Sequence, residues 1–140
     1  MQSDVQFLDT NIFLRHLTND EPTGRSPQAT QYFAAVERGQ RKARITDTVI
    51  FEVVFTLQKR YHNSKQDIQQ ALLPLIELPN ILLPRKRKYR EVFHLYVHKN
   101  LPFADAYYAV LMKELHLTEI FSFDPDFDKV EGITRIEPVV

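Results

Sequence analysis

Four acidic residues of this chain stand at positions from which they can reach one cleft. Asp9 and Asp124 each directly follow an apolar run that is typical of a buried strand, while Glu52 and Asp105 lie in apolar helical segments. Clustered carboxylates repel one another unless they are protonated or bind a cation. Because Mg²⁺ and Mn²⁺ prefer oxygen ligands, the pattern predicts a site for one of these ions. Such a site could activate water and neutralise a phosphodiester during hydrolysis.

Each acid also has a purely structural interpretation. Asp9 can cap a helix, and Asp124 precedes a proline and can form a turn. Glu52 lies on a polar stripe that can face either water or a polar cleft. The dipole of the first helical turn can favour Asp105, although its apolar neighbours favour burial.

Composition excludes several other classes of protein. The chain has 140 residues, no cysteine, three glycines, and 18 basic against 18 acidic side chains. Thiol catalysis, cysteine-ligated metals and a glycine-rich phosphate loop are therefore excluded, and any contact with nucleic acid must come from a local patch. No apolar run approaches the roughly 20 residues of a membrane span. Since residues 1–4 also do not resemble a signal peptide, we expect a cytoplasmic protein.

Hydrophobic periodicity predicts a single α/β domain over residues 1–140. Loop breakers are Asp20, Pro22 and Gly24. Strands are predicted at 5–8, 43–46, 80–83, 120–123 and 133–136. Helices are predicted at 12–17, 26–38, 48–61, 65–78, 86–99 and 103–115. Alternating strands and helices indicate a three-layer α/β/α sandwich around a parallel sheet of about five strands, with ligands at the carboxyl ends of the strands.

Two other metal motifs are incomplete. Residues 124, 126 and 128 have the spacing of a calcium loop, but Lys129 and Arg135 occupy the positions where an EF-hand needs glycine and glutamate. His94 and His98 are four residues apart, but Leu95 stands where the zinc-protease motif has glutamate. The two histidines are interpreted as solvated side chains.

Four ordered motifs resemble those of PIN-domain proteins and cover nearly the whole chain. They are Phe7-Leu8-Asp9-Thr10-Asn11, Glu52 after Thr46-Asp47-Thr48, Phe103-Ala104-Asp105-Ala106, and Ser122-Phe123-Asp124-Pro125-Asp126-Phe127-Asp128. At this length the sequence is most similar to the VapC toxins of prokaryotic toxin–antitoxin pairs.

This resemblance implies a Mg²⁺- or Mn²⁺-dependent endoribonuclease that forms a homodimer and is inhibited by a small antitoxin protein. The acidic quartet that binds the metal and acts in catalysis is matched by Asp9, Glu52, Asp105 and Asp124. The residues that orient the quartet are matched by Thr10, Asn11 and Ser122. Asp126 is a secondary candidate for a metal ligand. Hydrolysis would leave 5′-phosphate and 3′-hydroxyl ends on the RNA.

A basic run follows the third predicted strand, on the same sheet edge as the acids. Arg85, Lys86, Arg87 and Lys88 are therefore predicted to bind RNA phosphates, with contact to the antitoxin or simple solvation as the alternatives.

Two rival enzyme classes fit the sequence less well. A dehalogenase-like phosphatase needs an acid where Asn11 stands, and a ribonuclease-H-like fold needs a β-meander after Asp9. A non-catalytic PIN module that binds RNA or protein remains an open alternative.

Overall fold

A computed structural model describes residues 4–18 and 26–139. The predicted breakers Asp20, Pro22 and Gly24 and the first three residues lie outside this range. The chain divides into two compact units, Met1–Lys86 and Arg87–Val140, and each is described by itself.

Among its described residues, the first unit contains a parallel sheet of three strands and four helices. Its elements are β1 (Val5–Phe7), α1 (Thr10–Thr18), α2 (Ser26–Glu37), β2 (Lys42–Arg44), α3 (Asp47–Lys59), α4 (Lys65–Ile76) and β3 (Ile81–Leu82). The strands pair in the order β1-β2-β3. Ala43, at the centre of this sheet, is in register with Gln6 on one side and Ile81 on the other. All three strands therefore end at the same edge.

Short polar residues fix where α3 and α4 begin. The Thr46 side chain accepts a hydrogen bond from the backbone N–H of Val49 at the start of α3, and Ser64 does the same for α4. After α2, Gly39 adopts a φ of +82°, which favours glycine. The apolar faces of the helices bury a core that includes Phe13, Val36, Ile45, Ile50, Val53 and Leu72.

The second unit combines two helices with a two-stranded sheet. Its elements are α5 (Lys88–His98), α6 (Phe103–Glu114), β4 (Glu119–Phe121), a short 3₁₀ helix (Pro125–Lys129) and β5 (Thr134–Ile136). The strands β4 and β5 are parallel. Aromatic rings pack α5 against α6, where the Phe103 ring lies 5.1 Å from Phe93 and 5.2 Å from Tyr96 between centroids. This packing fixes the start of α6, where Asp105 lies.

The predicted α/β class with parallel strands is confirmed. The described residues contain five strands, the number predicted, but these pair as one sheet of three strands and one of two, whereas a single sheet of about five strands was predicted. The helix α5 begins at Lys88, because residues 84–87 form a turn. Within the described part of the chain, no helix has the length and apolar character needed to cross a membrane.

Candidate metal centre

Three carboxylates converge in the second unit. Asp105 lies in the first turn of α6, while Asp124 and Asp126 lie at the start of the 3₁₀ helix after β4. One oxygen from each of the three side chains lies within 4.8 Å of the others. The three residues form what we call the acid cluster.

Local hydrogen bonds fix the loop that carries two of these acids. The Ser122 hydroxyl accepts a hydrogen bond from the backbone N–H of Asp124 at 3.0 Å. Asp124 Oδ1 in turn accepts one from the backbone N–H of Asp126 at 2.9 Å, which caps the 3₁₀ helix. Asp124 can therefore both cap the 3₁₀ helix and bind a metal, since the cap uses only one of its two carboxylate oxygens.

Protonation is unequal across the cluster. Burial raises the pKa of Asp105 to about 7, with added contributions from its hydrogen bond to Asp124 and from the charges of Asp124 and Asp126. The same hydrogen bond, followed by the backbone N–H of Asp126, lowers the pKa of Asp124. Below about pH 7 the metal-free site therefore keeps a proton on Asp105 and a negative charge on Asp124.

The donor set of the acid cluster fits a hard divalent cation. All its ligand atoms are carboxylate oxygens, which suit Mg²⁺ and Mn²⁺. Asp105 Oδ2 is buried and has no hydrogen-bond partner among the described residues. A buried oxygen without a partner carries a free-energy cost that a bound cation would remove.

The other two predicted acids lie in the first unit, joined through one threonine. Asp9 follows β1, and its Oδ1 accepts a hydrogen bond from the backbone N–H of Thr10 at 2.8 Å. The buried Thr10 hydroxyl donates to Glu52 Oε2 at 3.3 Å, linking α1 to α3. Glu52 is exposed, and so is Asn11. Thr10 therefore orients Glu52, whereas no contact described for Asn11 gives it that role.

The basic run is divided between exposed and engaged side chains. The Lys86 ammonium donates to the carbonyls of Leu78 at 2.6 Å and Ile81 at 2.8 Å, which ties together the turn between α4 and β3. Burial lowers the pKa of Lys86, opposed by the charge of Glu77. Arg85 adopts a left-handed φ of 58°. Lys86 thus has an internal structural role that the charge pattern did not indicate.

Lys88 and Arg87 also differ, because Lys88 contacts another side chain of the second unit whereas Arg87 is exposed. Lys88 Nζ donates to the Tyr107 hydroxyl at 3.2 Å and lies 4.8 Å from the centroid of that ring. Arg87 precedes the first turn of α5 and is exposed. Arg87 is therefore the member of the run best suited to test RNA contact.

Sequence reasoning missed two basic residues that hold the acidic loop. Lys129 forms an ion pair with Asp126 at 2.9 Å. Arg135 donates to the Ser122 carbonyl at 3.2 Å and bonds both oxygens of Asp128. The i,i+3 spacing of Asp126 and Lys129 could have indicated the first contact, but the second depends on the pairing of β4 with β5.

Comparison with known proteins gives two matches. The family model of the PIN domain matches residues 7–133, a span that includes all five acids considered above. A VapC ribonuclease from Aquifex aeolicus (strain VF5) is 27% identical over 136 residues, which are 96% of this chain and 97% of that relative.

The metal-free protein should lose stability as the pH rises from about 4 to about 7. The pKa of Asp105 is about 7 in the folded chain against an ordinary value of 3.8. In this window the folded chain therefore holds a proton that the unfolded chain has released, and the free energy of unfolding falls until it levels off above about pH 7. Thermal unfolding in EDTA at about pH 5 and about pH 7.5 measures the effect, which should be smaller in Asp105→Asn.

Addition of Mn²⁺ at neutral pH should reverse this loss. An ion that binds only the folded state adds about 2.7 kcal/mol at a hundredfold excess over Kd, and the gain should be smaller in Asp105→Asn. Equal pH dependence and equal Mn²⁺ shifts in both proteins would contradict a role for Asp105 in the site.

Replacing Lys86 by methionine should lower the free energy of unfolding by about 1–2 kcal/mol. The substitution removes a charged donor from two carbonyl oxygens while preserving most of the side-chain volume. Urea unfolding provides the measurement, with the neighbouring Arg87→Gln as a control expected within about 0.5 kcal/mol of wild type. A Lys86→Met midpoint equal to that of wild type would show that the ammonium does not stabilise the turn.

Proposed function

The chain belongs to the PIN domain family, and from that premise we propose that it is a metal-dependent endoribonuclease acting as the toxin of a toxin–antitoxin pair. The similarity to a VapC ribonuclease over nearly the full length of both chains supports this proposal. The expected site of action is the cytoplasm, where RNA and an antitoxin protein would meet it.

The acid cluster is the observation that carries the proposal. Two acids held on one short 3₁₀ helix and a third on α6 place three carboxylates together. Without a cation, the arrangement raises the pKa of Asp105 and leaves Asp105 Oδ2 buried without a partner. Groups with strongly shifted pKa values mark functional sites more often than structural ones.

The three side chains of the acid cluster would have different roles in metal binding and proton release. Asp124, ionised and oriented by the N–H of Asp126, would be the first ligand available to Mg²⁺ or Mn²⁺. Asp105 would release its proton as the ion binds, which turns a hydrogen-bond donor into a second ligand. Asp126, fixed by Lys129, would complete the set. When bound, the cation supplies positive charge for the phosphodiester and lowers the pKa of water.

We propose that Asp9 and Glu52 contribute to the same reaction. Asp9 and Arg85 follow β1 and β3 at the carboxyl edge of one parallel sheet, which is where ligands bind in such folds. The Thr10 hydroxyl donates a hydrogen bond to the Glu52 carboxylate and so orients it. Asn11 and Ser122 remain proposed positioning residues.

RNA contact is proposed for the basic run, with Arg87 as an exposed member. The net charge of zero leaves a local patch as the means of holding a polyanion. Inhibition by an antitoxin and assembly as a homodimer are proposed from membership of the family and the similarity to VapC.

Replacing Asp124 by asparagine should reduce RNA cleavage by at least about a hundredfold, since an amide is a poor ligand for Mg²⁺. Cleavage of a mixed RNA pool in Mn²⁺ provides the measurement, with end analysis expected to give 5′-phosphate and 3′-hydroxyl products. Asp9→Asn should behave in the same way. Asp67→Asn, the same substitution at an exposed acid in the first turn of α4, is the matched control and should retain activity.

Folding of each variant is checked by circular dichroism. Wild-type cleavage by folded Asp124→Asn would contradict a metal-dependent nuclease that uses this site. RNA binding without cleavage by the wild-type chain would instead support the non-catalytic PIN module.

Arg87→Gln should weaken RNA binding in a salt-dependent way. If Arg87 contacts one phosphate of single-stranded RNA, the slope of log affinity against log salt should shrink by about 0.7. Measurement in an Asp124→Asn background prevents cleavage. Arg41→Gln, an exposed arginine before β2, serves as the control. A slope that changes only in the Arg41 variant would place the RNA on the other edge of the first unit's sheet.

A further inference from the structure

Two histidines on the exposed face of α5 are placed as a chelating pair. His94 and His98 are one helical turn apart, and both are exposed. Their ring centroids are 4.7 Å apart, with planes inclined at 41°. The opposite face of α5 is anchored by the buried Tyr89, Phe93 and Tyr96. The pair is therefore carried by a helix that is fixed in its unit.

This separation matches that of two imidazoles bound to one ion. With metal–nitrogen bonds of about 2.1 Å, the centroids of two ligating rings lie about 4.6 Å apart at a nitrogen–metal–nitrogen angle of about 90° and about 5.4 Å apart at about 110°. Histidines spaced i,i+4 on one helical face are a recurrent zinc-binding element. The observed separation of 4.7 Å lies within this range.

We propose that His94 and His98 form a second metal site, which binds an imidazole-preferring divalent ion such as Cu²⁺, Ni²⁺ or Zn²⁺. The site is chemically distinct from the acid cluster, because neutral imidazole suits these ions whereas carboxylate oxygens suit Mg²⁺ and Mn²⁺. The two sites would therefore prefer different ions because their ligand types differ. The remaining coordination positions on the ion are open to water.

The charges near the pair are of both signs. Glu91 lies one turn before His94 and is paired with Lys113 at 3.3 Å, and Arg90 also lies one turn before His94. Because the face is exposed, solvent and salt further weaken repulsion of the ion.

Isothermal titration of Zn²⁺ into the tag-free chain tests the proposal, with excess Mg²⁺ present to occupy the acid cluster. Wild type should bind one Zn²⁺ through the pair, and His98→Gln should weaken this binding more than about tenfold. The double variant His98→Gln, Lys99→His keeps two imidazoles at the wrong spacing and should be equally weakened. His116→Asn, which removes a histidine outside α5, should bind as wild type does.

A spectroscopic measurement identifies the ligands directly. Cu²⁺ electron paramagnetic resonance should show nitrogen couplings from two imidazoles in wild type and from one in His98→Gln. Absence of Zn²⁺ binding by wild type, wild-type affinity in either His98→Gln or the spacing variant, or equal nitrogen couplings in the two proteins would overturn the proposal.

Discussion

The hydrogen bond between the carboxyl groups of Asp105 and Asp124 is the interaction on which the candidate site depends. Two carboxylates this close cannot both ionise without a cation, so one retains a proton. The burial of Asp105 determines which of them does so, since its pKa is raised while that of Asp124 is lowered. In the metal-free protein, the contact between these two carboxyl groups therefore depends on a proton.

Different elements of the second unit hold the two aspartates of this contact in place. The aromatic packing of α5 on α6 fixes Asp105, and the 3₁₀ helix after β4 fixes Asp124. Lys129 and Arg135 form ion pairs with neighbouring acids of the loop, Asp126 and Asp128. The charges of Asp124 and Asp126 still contribute to the raised pKa of Asp105.

The sequence predicted the elements better than their contacts. Apolar runs followed by acids located β1, β4, Asp9 and Asp124, because strand ends in an α/β fold are marked by local patterning. The starts of α3 and α4 are also set locally, because the hydroxyls of Thr46 and Ser64 accept hydrogen bonds from backbone N–H groups in the first turns of these helices.

Features that depend on tertiary packing could not be predicted from the sequence. The basic run looked like a uniform cationic surface, yet Lys86 turns inward to two carbonyls that are exposed only by the particular turn between α4 and β3. Likewise, the apolar surroundings of Asp105 favoured burial, which is the largest cause of its raised pKa, but the added contribution comes from Asp124, which lies 19 residues further along the chain.

Proton release on metal binding tests the central claim most directly. Mn²⁺ is titrated into the metal-free protein near pH 6.5, in buffers of different ionisation enthalpy, to count the protons released per ion bound. We expect a release approaching about one proton per ion in wild type, because Asp105 must ionise to become a ligand, and a much smaller release in Asp105→Asn. Binding of Mn²⁺ with no proton release, or with the same release in the variant, would contradict it.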